Sequence, residues 1–170
     1  MKKNFFIIIF VFFALVPNKT LAYSSDPEQF ITEIVNEAKK ILVDSNSKEF
    51  KAKKLSEMAQ KTVDLIKANG GEAIAIKVDV SKAAEVEAMV AATVEHFGSL
   101  DCVSNNAAGG ASFAMLPEME EGSWDKTQAV CLKGVWLCLK YQIPAMLKTG
   151  GGAIVNIASL SAVRGEAMQS

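Results

Sequence analysis

Between Ala73 and Ile157, short apolar runs alternate with long helical stretches, and that alternation is what most limits the folds open to this chain. Ala73-Ile74-Ala75-Ile76-Lys77-Val78 is a short β run ending in Asp79. Ser81 then caps a helix that carries Val86, Met89, Val90, Val94 and Phe97 and ends at Gly98. Leu100 to Ser104 is a second short strand, followed by a loop from Asn105 to Pro117 rich in Asn, Ala and Gly. A long helix spans roughly Glu120 to Leu147, with Trp124, Val130, Trp136 and Leu139 among its apolar positions. Gly150-Gly151-Gly152 stops it, and a third strand runs to Ile157, two residues before Ser159. Strands separated by helices of this length form βαβ units and a parallel sheet. In an open α/β sheet ligands bind beyond the carboxyl ends of the strands. That makes Ser159 the candidate catalytic residue.

The residues before Ala73 follow a different pattern. Lys2 and Lys3 precede an unbroken apolar run of twelve residues, Phe5 to Val16, and the small-residue site Thr20-Leu21-Ala22. This is the layout of a secretory signal peptide over residues 1–22. Twelve helical residues cover about 18 Å, short of a ~30 Å hydrocarbon core. Asp26-Pro27-Glu28-Gln29 starts a helix, and Phe30, Ile31, Ile34, Val35, Ala38, Ile41 and Leu42 form its apolar stripe. A lysine-rich helix from Lys48 to Ala68 follows, with Phe50, Leu55, Met58, Leu65 and Ile66 as its apolar side and Asn69-Gly70-Gly71 as its cap.

Charge and cysteines narrow the function classes. Residues 1–22 hold three of the 18 basic and none of the 19 acidic residues, so the remainder carries 15 against 19, a net −4. An acidic domain with one arginine, Arg164, has no electrostatic footprint for nucleic acid. Cys102, Cys131 and Cys138 have no CxxC spacing and read as buried free thiols, which suit a reducing compartment. His96, the single histidine, sits at a helix carboxyl end as a dipole partner, and no metal site is expected.

Several landmarks in order resemble the short-chain dehydrogenase/reductase family over about Glu57 to Gly165. They are Asp79-Val80, Leu100-Asp101, Asn105-Asn106-Ala107-Ala108-Gly109, Leu132-Lys133-Gly134 and Ile154-Val155-Asn156-Ile157-Ala158-Ser159. The resemblance implies a partial Rossmann-like, doubly wound parallel α/β sheet. It implies hydride transfer between NAD or NADP and a carbonyl or alcohol, with Ser159 hydrogen-bonding the substrate oxygen. Asp79 and Val80 would lie beside the adenine, and Asn105, Asn106, Ala107 and Ala108 would support the sheet and line the cofactor. The long helix, residues 120–147, would mediate homo-oligomerisation, and the oxidoreductase part would be cytoplasmic.

The chain also departs from that family. The family's Tyr-x-x-x-Lys pair is expected from thirteen residues after Ser159, past Ser170. Cys131 stands where an asparagine is usual, and Ala108 where a glycine is usual. None of the eleven glycines precedes Gly70, so the glycine-rich phosphate turn and the first two strands of the sheet order 3-2-1-4-5 are absent. The expectation is an inactive fragment in which the 73–78 run pairs directly with the 100–104 strand or with another chain.

Residues 1–63 resemble the periplasmic phospholipid-shuttle proteins of the toluene-tolerance transport system, which implies export and a phospholipid partner for residues 23–62. The implied organisation is a signal peptide at 1–22, a helical extension at 23–63 and a partial Rossmann domain at 64–170. The alternatives are an exported lipid-binding or interaction module and a chimaeric reading frame without selected function.

Overall fold

The computed structural model describes residues 45–109 and 114–159, with positions 32, 36, 40, 41, 43, 162 and 163 in addition. The expected signal peptide and most of the first apolar stripe lie outside the described residues. The chain divides into two compact units, residues 1–78 and 79–170.

In the first unit, helix α1 covers Lys48–Ala68. The hydroxyl of Ser47 accepts from the Phe50 amide at 3.2 Å and closes the helix start. Gly70, at φ +81°, ends it, and the Gly71 N–H donates to the Ile66 carbonyl at 3.0 Å. The buried stripe is Met58, Ala59, Thr62, Val63 and Ile66. Phe50 and Leu65, expected on the apolar side, are exposed. The small residues Ala59 and Thr62 take the inward positions, with the Thr62 hydroxyl satisfied by the Met58 carbonyl. Val63, Ile66 and Ala73 form the small core of this unit.

The run Ala73–Val78 forms no strand. Its alternation is right, but a strand exists only where a neighbour takes up its N–H and C=O groups. No strand pairs with it among the described residues, so the expected pairing with the 100–104 region is not made.

The second unit holds helix α2, Ala83–Phe97, and strand β1, Cys102–Asn105. After a short 3-10 turn at Leu116–Glu118 comes helix α3, Glu121–Gln128. A π turn at Ala129–Lys133 joins it to helix α4, Gly134–Leu147, and strand β2, Ala153–Asn156, follows. Gly98, at φ +84°, ends α2 as expected. Ser81 does not cap α2, because its N–H and hydroxyl are both bonded to Oδ1 of Asp79 in an Asx turn, and Lys82 takes the cap position.

β1 and β2 pair in parallel with Cys102 opposite Ala153 and Asn105 opposite Asn156. This parallel pair is the adjacency of strands four and five that the resembled sheet order 3-2-1-4-5 implies. α2 and α4 pack together; Val86, Met89, Val90 and Thr93 are the buried residues of α2, and Gly134, Leu137, Cys138, Gln142 and Met146 those of α4. Trp124 and Trp136 are exposed on α3 and α4 and take no part in that core.

Candidate functional site

Parallel pairing in register brings the carboxyl ends of β1 and β2 to one edge. Asn105 and Asn156 are the last residues of the two strands. The Ile157 N–H then donates to the Asn105 carbonyl at 2.9 Å, extending the pairing by one rung. Asn106, Ala107 and Ala108 therefore leave the sheet at the same end as Ser159. Asn106, Ala108 and Ser159 are exposed, and Ala107 is half-buried.

Asn105 itself turns inward and is 4% exposed. Its Nδ2 donates to Oε1 of Gln142 at 3.1 Å and to Oδ1 of Asn156 at 2.9 Å. Nε2 of Gln142 donates back to Oδ1 of Asn105 at 2.9 Å. A buried amide left unpaired would cost about 1–3 kcal/mol. Here every polar side-chain atom of the buried Asn105–Gln142 pair is bonded. Sequence reasoning missed Gln142. Its signal was available: a neutral amide four residues after Cys138 and four before Met146, on the stripe that faces the core.

Asp79 and Val80 sit at the start of the second unit. Oδ1 of Asp79 accepts from the Ser81 hydroxyl at 2.6 Å, and Oδ2 lies 3.3 Å from the Lys82 ammonium. Lys82 also bonds Glu85 at 2.7 Å, and the other Glu85 oxygen accepts from the Asp79 N–H at 2.8 Å. Burial pushes the Asp79 carboxyl up, but the two Ser81 hydrogen bonds and the Lys82 ammonium outweigh it, so its pKa is held below the usual carboxylate value. Val80 is buried against Gly134 at the start of α4, where an added Cβ would meet Val80 Cγ2 at 2.9 Å. Glycine at 134 thus lets the long helix approach the backbone next to Asp79.

The π turn carries Cys131, whose thiol donates to the Gly109 carbonyl at 3.6 Å. π turns inside helices recur at functional sites. This one ties the long helix to the loop that follows Asn105. Cys131 and Cys102 are exposed and only Cys138 is buried, which corrects the expectation of three buried thiols. Cys138 lies on the buried stripe of α4 beside Leu137; Cys131 lies in the π turn before α4 begins, against a loop.

A family model described as short chain dehydrogenase matches residues 34–170. The chain belongs to that family. A Thermotoga maritima protein named only as an uncharacterized oxidoreductase is 47% identical to this short-chain dehydrogenase chain over 103 residues, covering 61% of this chain and 40% of its own length. The 3-oxoacyl-(acyl-carrier-protein) reductase FabG of Staphylococcus aureus is 41% identical over 104 residues, covering 61% and 42%. The chain thus spans about two fifths of the length of these relatives. A crystal structure of a 3-ketoacyl-ACP reductase from Sinorhizobium meliloti superposes with a TM-score of 0.58 at 36% identity, covering 61% of this chain and 40% of that one. A short-chain dehydrogenase/reductase structure from Burkholderia xenovorans gives 0.61 at 35% identity, covering 66% and 45%. The parallel α/β arrangement of the second unit is accordingly part of a Rossmann-type fold.

That family implies a nicotinamide dinucleotide, and the residues fit it only in part. Asn106 and Ser159 are exposed polar residues at the sheet end. A pyrophosphate is held by free N–H groups at a helix start, where added negative charge works against it. The α1 start is capped by Ser47 and followed by Glu49. The α2 start carries Asp79 and Glu85, and the α3 start carries Glu120 and Glu121. At the α2 start the Lys82 ammonium is bonded to both carboxylates; the α3 carboxylates, with no lysine bonded to them among the described contacts, are the ones that repel a phosphate.

Proposed function

We propose that this chain carries the substrate-side half of a short-chain oxidoreductase site and does not turn over NADH or NADPH by itself. The substrate class is a carbonyl or alcohol, and Ser159 would donate a hydrogen bond to its oxygen as negative charge develops there. The observation that supports this reading most is the parallel register, which sets Asn106–Ala108 and Ser159 at one strand end. The expected lack of turnover is inferred from the Ser47 cap at the α1 start and the carboxylates at the α3 start, which leave little room there for a phosphate. Purified chain should not reduce a panel of ketones, aldehydes and 3-oxoacyl thioesters with either nicotinamide above the level of Ser159→Ala. Reduction well above that control would refute the inactivity.

A further inference from the structure

We infer that Gln142 is a positioning residue: from inside α4 it sets the spacing and direction of the two strand ends that carry Asn106–Ala108 and Ser159. The inference rests on the proposed reading only in taking this strand end as the site.

Gln142 is 1% exposed, among the apolar side chains of Leu137, Cys138 and Met146. An apolar residue of the same length would fill that place without the desolvation an amide requires. What the amide adds is direction. Two reciprocal bonds with Asn105 fix the rotation of both side chains, and the second Asn105 hydrogen then reaches Asn156 across the strand pair. Helix, first strand and second strand are thereby joined at one point, one residue before the chain reaches Asn106. Fully satisfied buried networks of this kind rigidify what they connect.

The ladder supplies its own control. At the far end the Ala153 N–H donates to the Asp101 carbonyl at 2.9 Å, and at the site end the Ile157 N–H donates to the Asn105 carbonyl at 2.9 Å. The two bonds have equal length, but only the second contains a residue held by Gln142. A role limited to general stability would loosen both ends alike.

The test is amide hydrogen exchange of the whole chain, comparing Ile157 with Ala153, in Gln142→Met, which keeps the length and unbranched shape of the side chain. Exchange at Ile157 should accelerate about tenfold more than at Ala153, the scale of one buried hydrogen bond. Equal acceleration at both amides, or none at Ile157, overturns the inference. Should Gln142→Met not fold, Asn156→Ala removes only the exposed acceptor of the network; it should shift the same ratio in the same direction, and an unmoved ratio overturns the inference. Exchange is read without cofactor or substrate, so an unmoved ratio and unexpected turnover are separate results.

Discussion

Replacing Gly152 by alanine should be the most damaging single-methyl change in the second unit. A Cβ at 152 would lie 2.5 Å from the Asp101 carbonyl oxygen, 3.2 Å from the Asp101 carbonyl carbon and 3.1 Å from Cε of Met146. The methionine can swing away, but the carbonyl is backbone and is already bonded to the Ala153 N–H at 2.9 Å. Relief requires the two chains to separate by several tenths of an ångström at the first rung. Overpacking of this kind costs about 1–3 kcal/mol, and loss of the Ala153 bond adds about 0.5–1.5 kcal/mol. The sum, roughly 2–4 kcal/mol, is a large part of the ~5–15 kcal/mol that holds a typical domain. Gly122 is the control: it lies inside α3 with nothing within 4 Å of the added Cβ, so Gly122→Ala should stabilise by about 0.5–1 kcal/mol through helix propensity. Both tryptophans, Trp124 and Trp136, belong to α3 and α4, so fluorescence during urea unfolding reports on this unit. With a slope of about 2 kcal/mol/M, the midpoint for Gly152→Ala should fall by about 1–2 M while that for Gly122→Ala rises slightly. A Gly152→Ala midpoint within ~0.3 M of the parent on that slope, or an equal loss in both variants, would refute the close approach of Gly152 to Asp101.

Two further outcomes follow from the titrating groups. The folded pKa of Asp79 lies below its ordinary value of 3.8, so its contribution to stability is complete above that value and is lost as pH falls through the lowered folded pKa. Acid titration of unfolding should therefore show a loss below about pH 4 that Asp79→Asn flattens; an unchanged acid limb in the variant would contradict the Ser81 and Lys82 contacts. Burial pushes the Cys138 thiol up to about 11, whereas Cys102 and Cys131 are exposed. A thiol reagent at pH 8 should label two cysteines in the folded chain and the third only after denaturation, and fast labelling of Cys138 would show that its thiol is not buried.

What could be read from the sequence was local. The helix limits at Lys48–Ala68, the glycine stops at Gly70 and Gly98 and the strand that leads to Ser159 depend on residues within a turn of one another. The 73–78 run failed for the complementary reason: its alternation is local, but a strand is a relation to a neighbour. Ser81 lost its capping role because its hydroxyl is turned back to donate to Asp79, two residues earlier, and so does not meet the helix amides. Asn105 was read as part of a cofactor wall by resemblance, yet its partners lie 37 and 51 residues away, and no spacing rule connects them. Phe50, Leu65 and Trp136 have the composition of a core and are exposed, because apolarity marks candidates for burial without saying which of them meet a covering element.

The order at the strand ends has causes that lie within the second unit. In the second unit, order at the strand ends depends on Gly152 against Asp101, Gly134 against Val80 and Gln142 against Asn105, all of them contacts within residues 79–170. None draws on the residues before Asp79. A phosphate turn has the opposite requirement: it needs a glycine-bearing helix start whose amides are unclaimed and uncharged. The strand residues that precede Asn106 and Ser159 are thus held by contacts made by the chain's own residues, and the serine at this strand end speaks to family membership more directly than to turnover.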